Sequence, residues 1–137
     1  MKALSIRQPY AGLIAQGKKT IEMRSWRTDY RGPLLICAGR TSELYFEDPY
    51  EQTLYDAEFP CGVAVGIADL VSIHRFTPGD IEGTGERFVC EYLGEDFNPA
   101  DMDYDGFAWM LSDARPIEPF PVRGKMGLFD VSYYGSR

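Results

Sequence analysis

The chain has 137 residues, 45% of them hydrophobic and 26% charged, and its 14 basic and 21 acidic side chains give a net charge of −7. This length and this balance are typical of one globular domain, and no apolar run is long enough to span a bilayer. Nucleic acid backbones are bound mainly through Lys and Arg, so the charge argues against a protein that coats long duplexes. The first residues, MKALSIRQP, lack the apolar stretch of a signal peptide, and we expect a cytoplasmic protein with no membrane contact.

The first forty residues predict three strands and one short helix. ALSI, at 3–6, is a short strand that ends before Pro9, and QPYAGLIAQG is a helix that Gly17 stops. The segment KTIEMRS has the period-two alternation of a strand, with Lys19 placed just before that strand begins. PLLICAG, at 33–39, is typical of a buried strand.

The rest of the chain predicts further strands separated by acidic segments. Segment 41–59 is rich in Tyr and acidic residues and contains Pro49, and we interpret it as one or two surface helices. The longest β-like run is 62–76, and the second acidic segment, near 85–105, is expected to be loop with a short helix. The remaining predicted elements are a strand at 106–113, an extended proline-rich segment at 115–122 and a closing strand at 124–134.

These elements predict an α+β fold, a small β-barrel of about five to seven mostly antiparallel strands with two or three flanking helices. A doubly wound parallel sheet is disfavoured because the long strands do not alternate regularly with helices. No internal repeat or low-complexity linker interrupts the sequence, so we expect one domain.

The sequence contains too few cysteine and histidine residues for a typical metal site. Cys37, Cys61 and Cys90 are widely spaced, no CxxC pair occurs, and His74 is the single histidine. We therefore expect buried, reduced cysteines, no metal centre and no cofactor.

Several blocks of the sequence, in the right order, resemble the ASCH (activating signal cointegrator homology) domain. ALSIRQPYAGLIAQGKKTIEMRSW is followed by YRGPLLICAG, and the hallmark GxKxxExR is matched by Gly17, Lys19, Glu22 and Arg24. GVAVGIADL and FAWMLSDARPIEPFPVRGKMGLF look like the remaining blocks of the family. The resemblance implies one PUA-like domain over 1–137, a compact β-barrel with a cleft beside the first helix. It also implies that the acidic segments around 41–60 and 85–105 are insertions.

The resemblance also implies two kinds of function. ASCH domains are generally proposed to bind RNA or related nucleic acid in the cleft, and a few small members are amidohydrolases that remove acyl groups from modified cytidine. In those enzymes the lysine of the motif works with a threonine three positions later and with a separate glutamate. Here Glu22 stands three positions after Lys19, so the presumed nucleophile of the amidohydrolases is replaced by a carboxylate.

The residues of the motif fit a binding cleft. Lys19 and Arg24 can contact a phosphate or a base edge, and Glu22 can accept a hydrogen bond from an exocyclic amine. The alternative is that Glu22 and Arg24, on one strand face, form only a structural ion pair. Trp26 and Trp109 are candidates for stacking on a base, or else for packing in the core.

Two further groups complete the set of candidate ligand-binding residues. Ser5, Gln8 and Tyr10 lie around the start of the first helix, where free backbone N–H groups favour an anion. Ser112 and Lys125 lie in SDARP and VRGKMG, and the glycines beside Lys125 allow close approach of the backbone to a ligand.

Three functions follow as hypotheses. The first is binding of RNA, single-stranded nucleic acid or a modified nucleoside in a small cleft. The second is hydrolysis of an acylated cytidine such as 4-acetylcytidine, with Lys19 and Glu22 as tentative catalytic residues. The third is an adaptor that binds a protein partner through the acidic, tyrosine-rich surface around Tyr45 to Tyr55.

Overall fold

The computed structural model describes residues 1–76, 88–90, 95–97 and 106–133. Within these residues the chain forms eight strands and two helices. In chain order they are β1 (Lys2–Gln8), α1 (Tyr10–Ala15), β2 (Ile21–Arg24), β3 (Gly32–Ser42), α2 (Pro49–Glu58), β4 (Val63–Phe76), β5 (Phe88–Cys90), β6 (Glu95–Phe97), β7 (Gly106–Pro121) and β8 (Leu128–Asp130). Neither helix in this part of the chain is long and apolar enough to span a membrane.

Six strands form one curled sheet in the order β2-β7-β4-β3-β1-β8, while β5 and β6 pair separately. All neighbouring strands are antiparallel except β1 and β3, which run parallel with Ala3 opposite Leu35. The sheet is not closed, but the Arg24 Nη2 atom on edge strand β2 donates to the carbonyl of Ser5 on β1, the fifth strand, at 2.9 Å. This hydrogen bond brings distant strands together. The predicted small α+β fold, with mostly antiparallel strands and two helices, is confirmed.

The alternation of side chains along β1 separates two hydrophobic clusters. Leu4 and Ile6 face a cluster that includes α1 and Trp109, which we call the inner face. Ala3 faces the opposite cluster, which is completed by residues such as Phe129. The inner face carries both the main core and the motif residues of β2, so the candidate site is built on the best-packed side of the sheet.

The first helix has the predicted position and is held against the sheet by close packing. Pro9 immediately precedes α1, and Gly17 has a positive φ of 77° just after the helix ends, as is typical of a glycine that ends a helix. Ala15 packs directly over Gly66 of β4, where a Cβ atom would lie 2.6 Å from the Ala15 Cβ. Glycine at position 66 therefore sets how closely the helix approaches the sheet.

In the first acidic segment the structure has one helix, α2. Pro49 is its first residue, where the missing proline N–H costs nothing, and the Asp48 side chain caps it by accepting from the Glu51 backbone N–H at 3.1 Å. Its buried residue Tyr55 and the following Phe59 pack against Leu13 of α1. The proline thus begins the one helix that the structure has in this segment.

Other sequence-based expectations are changed by tertiary pairing. The predicted strand and proline-rich segment near the C-terminal end form one continuous strand, β7, whose register against β4 shifts at several bulges. In the second acidic segment, the described residues form the β5–β6 pair and the remaining residues lie outside the described ranges. Cys37 is buried as expected, but Cys61 is exposed, so the prediction that the cysteines are buried is wrong for Cys61.

We predict that Gly66→Ala lowers the free energy of unfolding by about 1–3 kcal/mol, because the added methyl group meets Ala15 and the Arg115 carbonyl at less than van der Waals distance. Chemical denaturation measures the change. The matched control is Gly39→Ala, whose Cβ would have its nearest neighbour, Ser5 Oγ, at an ordinary 3.5 Å. Equal stability of the two variants would contradict the packing role assigned to Gly66.

Candidate functional site

The motif residues of β2 project onto the inner face of the sheet. In the β2–β7 pair, Glu22 lies directly opposite Trp109 and Arg24 lies directly opposite Phe107. Directly opposed residues project to the same face, so both charged side chains stand beside the core aromatics. Lys19 lies two residues before β2 begins, which is the placement that the sequence predicted.

Lys19, Glu22 and Arg24 form one buried charge cluster. The two oxygens of the Glu22 carboxylate face different cations: Oε1 lies 3.4 Å from Lys19 Nζ, and Oε2 lies 2.9 Å from Arg24 Nη2. Lys19 Nζ also donates to the carbonyl of Ile21. Lys19 is 4% exposed and Glu22 is 8% exposed, so water contributes little to solvating these charges. The carboxylate is therefore the counter-charge for both cations.

Burial changes the acid–base properties of Lys19. Loss of water around the ammonium group lowers the pKa of Lys19 from its usual 10.5, while the Glu22 carboxylate opposes this change and Arg24 adds to it. When Lys19 is protonated, the cluster has two positive groups and one negative group. It then carries one excess positive charge on the inner face of an acidic protein.

Arg24 is the member of the cluster that reaches solvent, with a side chain that is 24% exposed. Its Nη2 atom bonds both the Glu22 carboxylate and the Ser5 carbonyl. Its buried Nε atom has no acceptor among the described residues. An unpaired buried N–H group costs about 1–3 kcal/mol. Arg24 is therefore held in place at a cost in stability, because one of its donors has no acceptor among the described residues.

Two tryptophans lie beside the cluster and have different exposures. Their rings meet edge to face, with centroids 4.8 Å apart and an interplanar angle of 78°, and Trp109 Nε1 donates to the Trp26 carbonyl at 3.1 Å. Trp109 is fully buried, whereas Trp26 is partly exposed. A base can therefore approach the ring of Trp26, while protein covers that of Trp109. A third aromatic ring, that of the partly exposed Tyr10, lies near Lys19, whose Nζ atom is 5.7 Å from the ring centroid.

The remaining predicted residues are dispersed. Gln8 is fully buried, and its amide joins the Pro60 carbonyl to the Gly12 backbone N–H, which anchors the start of α1. Ser112 lies on β7 opposite Asp69 of β4. Among the predicted site residues, the structure brings together those of the motif with Tyr10 and the tryptophans, but not Gln8 or Ser112.

Ser5 and Lys125 line a separate pocket of about 390 Å³. Arg40 and Arg123 also line this pocket, and neither was among the residues that we predicted to bind a ligand. Its wall is formed by Ser5 of β1, residues 38–40 of β3, Gly62 and the segment between β7 and β8, which are far apart in sequence. Only the excess of basic residues in those segments, in a chain with a net charge of −7, gave a hint of this pocket.

The tyrosine-rich surface proposed for a protein partner is smaller than expected. Tyr45 is 76% exposed and Tyr50 is 69% exposed, but Tyr55 is fully buried. Leu54 is 51% exposed on the same helix as Tyr50. The exposed part of the surface therefore lies around the first turns of α2 and the segment before it.

Comparisons with known proteins agree with the fold. The family model of the ASCH domain matches residues 4–121. Activating signal cointegrator 1 from Homo sapiens is 37% identical over 78 aligned residues, which cover 50% of this chain, and the protein of the same name from Mus musculus gives the same values. The match covers only 13% of the length of these relatives.

Solved structures of ASCH proteins have a similar fold. The crystal structure of ASCH from Zymomonas mobilis superposes with a TM-score of 0.61, covering 95% of this chain and 86% of that one, at 18% identity. A tyrosine-to-phenylalanine mutant of that protein gives a TM-score of 0.62 at the same identity, covering 95% of this chain and 88% of that one. At this identity the likeness concerns the fold.

We predict that Glu22→Gln lowers the free energy of unfolding by about 3–5 kcal/mol, because the neutral amide leaves the buried Lys19 and the partly exposed Arg24 without their counter-charge. Denaturant titration near neutral pH measures the effect. Glu118→Gln is the control, since Glu118 is exposed on β7 and its replacement removes the same charge. A loss for Glu22→Gln no larger than that of the control would contradict the counter-charge role.

Proposed function

Because the chain belongs to the ASCH domain family, we propose that it binds RNA, single-stranded nucleic acid or a modified nucleoside and contacts a base in the cleft of Lys19, Glu22, Arg24 and Trp26. The observation that carries this proposal is the partly exposed Arg24, which a buried carboxylate and a backbone carbonyl hold in place beside a partly exposed tryptophan. The matched region includes all four residues.

Arg24 is proposed to supply the hydrogen bonds that recognise the ligand. A guanidinium group is planar, and with Nη2 bonded to Glu22 and Ser5 and with Nε buried, the Nη1 amino group is the part of Arg24 that can donate to an acceptor on a base edge or a phosphate. Glu22 and the Ser5 carbonyl both bond to the same nitrogen, Nη2. The orientation of the guanidinium plane is thus fixed before a ligand arrives, which reduces the entropy cost of binding.

Trp26 is proposed to supply the stacking surface. Stacking of a base on an aromatic ring contributes roughly 1–3 kcal/mol and tolerates any base. The edge contact and the hydrogen bond from the buried Trp109 support Trp26 from behind. In this proposal Trp109 is a positioning residue, because its own ring is fully buried.

The charge of the chain favours a local mode of binding. With a net charge of −7, the surface as a whole repels a nucleic acid backbone. Stacking and hydrogen bonds to one or two nucleotides do not require a long positive groove. We therefore propose a short single strand or a single nucleoside as the ligand, and binding with a shallow dependence on salt.

Isothermal titration of cytidine, 4-acetylcytidine and short single-stranded RNAs at several salt concentrations tests the proposal. We expect saturable binding of at least one probe, and a loss of about tenfold or more in Arg24→Lys, which keeps the charge but lacks the planar guanidinium group. A similar loss is expected in Trp26→Leu because the stacking surface is removed. The control is Arg75→Lys, the same change at an exposed residue of β4.

Each variant is first compared with the parent protein by circular dichroism and thermal unfolding, so that a binding loss is not confused with a folding defect. If no nucleoside or RNA binds, or if Arg24→Lys and Trp26→Leu bind as tightly as Arg75→Lys, the proposed cleft is wrong.

The state of Lys19 favours a second candidate, hydrolysis of an acylated cytidine. Burial lowers the pKa of Lys19, so this lysine reaches its neutral, basic form at a lower pH than a free lysine does. Glu22 lies 3.4 Å away and can hold a water molecule for attack on the acyl carbon. In this scheme, water adds to the carbonyl, the C–N bond breaks, and the nitrogen leaves with a proton, giving cytidine and a carboxylate.

Incubation of the protein with 4-acetylcytidine, followed by chromatography of the products, tests the enzyme candidate. We expect Lys19→Met to abolish cytidine formation and Lys18→Met to retain it, because Lys18 is exposed and adjacent. The rate of the parent protein should rise with pH through an apparent pKa below 10.5. No turnover, or turnover that Lys19→Met leaves intact, would eliminate the enzyme candidate without affecting the binding proposal.

A further inference from the structure

The pocket of about 390 Å³ that contains Ser5 is lined by none of Lys19, Glu22 and Arg24. The carbonyl of Ser5 accepts from Arg24 of the cluster, whereas its hydroxyl lies in the pocket between two glycines. A Cβ atom on Gly124 would stand 2.8 Å from Ser5 Oγ, and one on Gly39 would stand 3.5 Å away. The two sites are therefore distinct and share one residue of β1.

Three basic side chains line this pocket, and no acidic residue among the described ones does. Arg40 is at the end of β3, and Arg123 and Lys125 belong to the segment that connects β7 to β8. Within the described residues, none of the three makes an ion pair or a side-chain hydrogen bond, whereas Lys2, Arg7 and Arg24 are each paired with a carboxylate. Three cations that have no carboxylate partner among the described residues repel each other across one pocket, and an anion between them removes that repulsion.

The backbone and Ser5 add neutral donors to the same pocket. In the described part of the chain, the N–H groups of Arg123, Gly124 and Lys125 donate to no protein acceptor, and the Ser5 hydroxyl has no hydrogen-bond partner. Gly124 lets this segment lie directly against Ser5, since any larger residue would collide with the hydroxyl. Hydroxyl and backbone N–H donors together with Arg and Lys are the groups that bind phosphate oxygens in proteins.

We propose that this pocket is a phosphate-binding site, in which Arg40, Arg123 and Lys125 neutralise the anion and Ser5 with the backbone of Gly124 donates hydrogen bonds. Its volume lies at the lower end of the roughly 300–1,000 Å³ typical of small-molecule sites, which leaves room for a phosphate group and part of a nucleotide. The phosphate can belong to a nucleic acid strand or to a free mononucleotide.

This proposal extends the proposed function. The case in which the phosphate belongs to a nucleic acid strand rests on that function. The sites for the base and for the phosphate meet at Ser5, whose carbonyl accepts from Arg24 and which also lines the pocket. A strand that follows the protein surface at this point can occupy both sites. The acidic chain would then hold the backbone at one defined position instead of along a broad positive surface.

The test is a ¹H–¹⁵N NMR titration of the full chain with inorganic phosphate, with inorganic sulfate and chloride at matched ionic strength as comparisons. We expect saturable shifts centred on the amides of Gly39, Gly62, Gly124 and Lys125. In Arg123→Ala/Lys125→Ala, the apparent affinity for phosphate should fall at least tenfold. Both residues are exposed, so the double variant should retain the fold.

The matched control is Arg75→Ala/Arg115→Ala, which removes the same number of exposed positive charges elsewhere. This control should bind phosphate as the parent protein does. Shifts that spread over the whole surface without saturation, or an equal loss in both double variants, would overturn the proposal, because binding would then follow net charge and not the pocket.

Two further arms separate this inference from the proposed function and distinguish the sources of phosphate. Cytidine, which has no phosphate, should bind Arg123→Ala/Lys125→Ala as it binds the parent protein, whereas Arg24→Lys should lose cytidine and keep phosphate. For a single-stranded RNA, the double variant should reduce the salt slope by about 0.7 for each phosphate that the protein no longer neutralises. A mononucleotide that loses affinity in the double variant, while the RNA slope is unchanged, supports the phosphate site with a free nucleotide as its source.

Discussion

The interaction on which the site depends is the pairing of one buried carboxylate, that of Glu22, with two cations. A buried charge is tolerated only when it is paired and hydrogen-bonded, and here each oxygen of the carboxylate serves a different partner. Through Arg24 this pairing also reaches the Ser5 carbonyl, so an edge strand of the sheet is tied to β1. Glu22 therefore contributes both to the charge balance of the motif and, through Arg24, to the contact between β2 and β1. A change at Glu22 affects both.

The proposed sites use this framework in different ways. In the proposed cleft, Glu22 and the Ser5 carbonyl hold Arg24, and part of its side chain stays exposed, as does part of Trp26. This arrangement suits recognition of a planar ligand. In the pocket, exposed cations without carboxylate partners among the described residues converge on Ser5 and Gly124, which suits a compact anion. The two sites are complementary because a nucleotide has both a planar base and a phosphate. An acidic protein can thus bind such a ligand without being basic overall.

The sequence was sufficient where local rules decide the structure and insufficient where distant segments meet. Period-two alternation placed Glu22 and Arg24 on one face, and Gly17 marked the end of the first helix, because both features depend on neighbouring residues. The pocket around Ser5 could not be predicted, since four parts of the chain that are remote in sequence form it. The burial of Trp109 likewise follows from its cross-strand neighbours, which a single sequence does not reveal.

The most direct test of the central claim is the NMR signal of the Arg24 side-chain Nε–Hε group during titration with a nucleoside that binds. This group is buried and has no acceptor among the described residues, so its signal reports on the guanidinium that we place at the ligand. The account predicts that the signal shifts in a saturable way with the same apparent Kd as the whole protein. If binding saturates while this signal stays unchanged, the ligand binds elsewhere and the account of the cleft is contradicted.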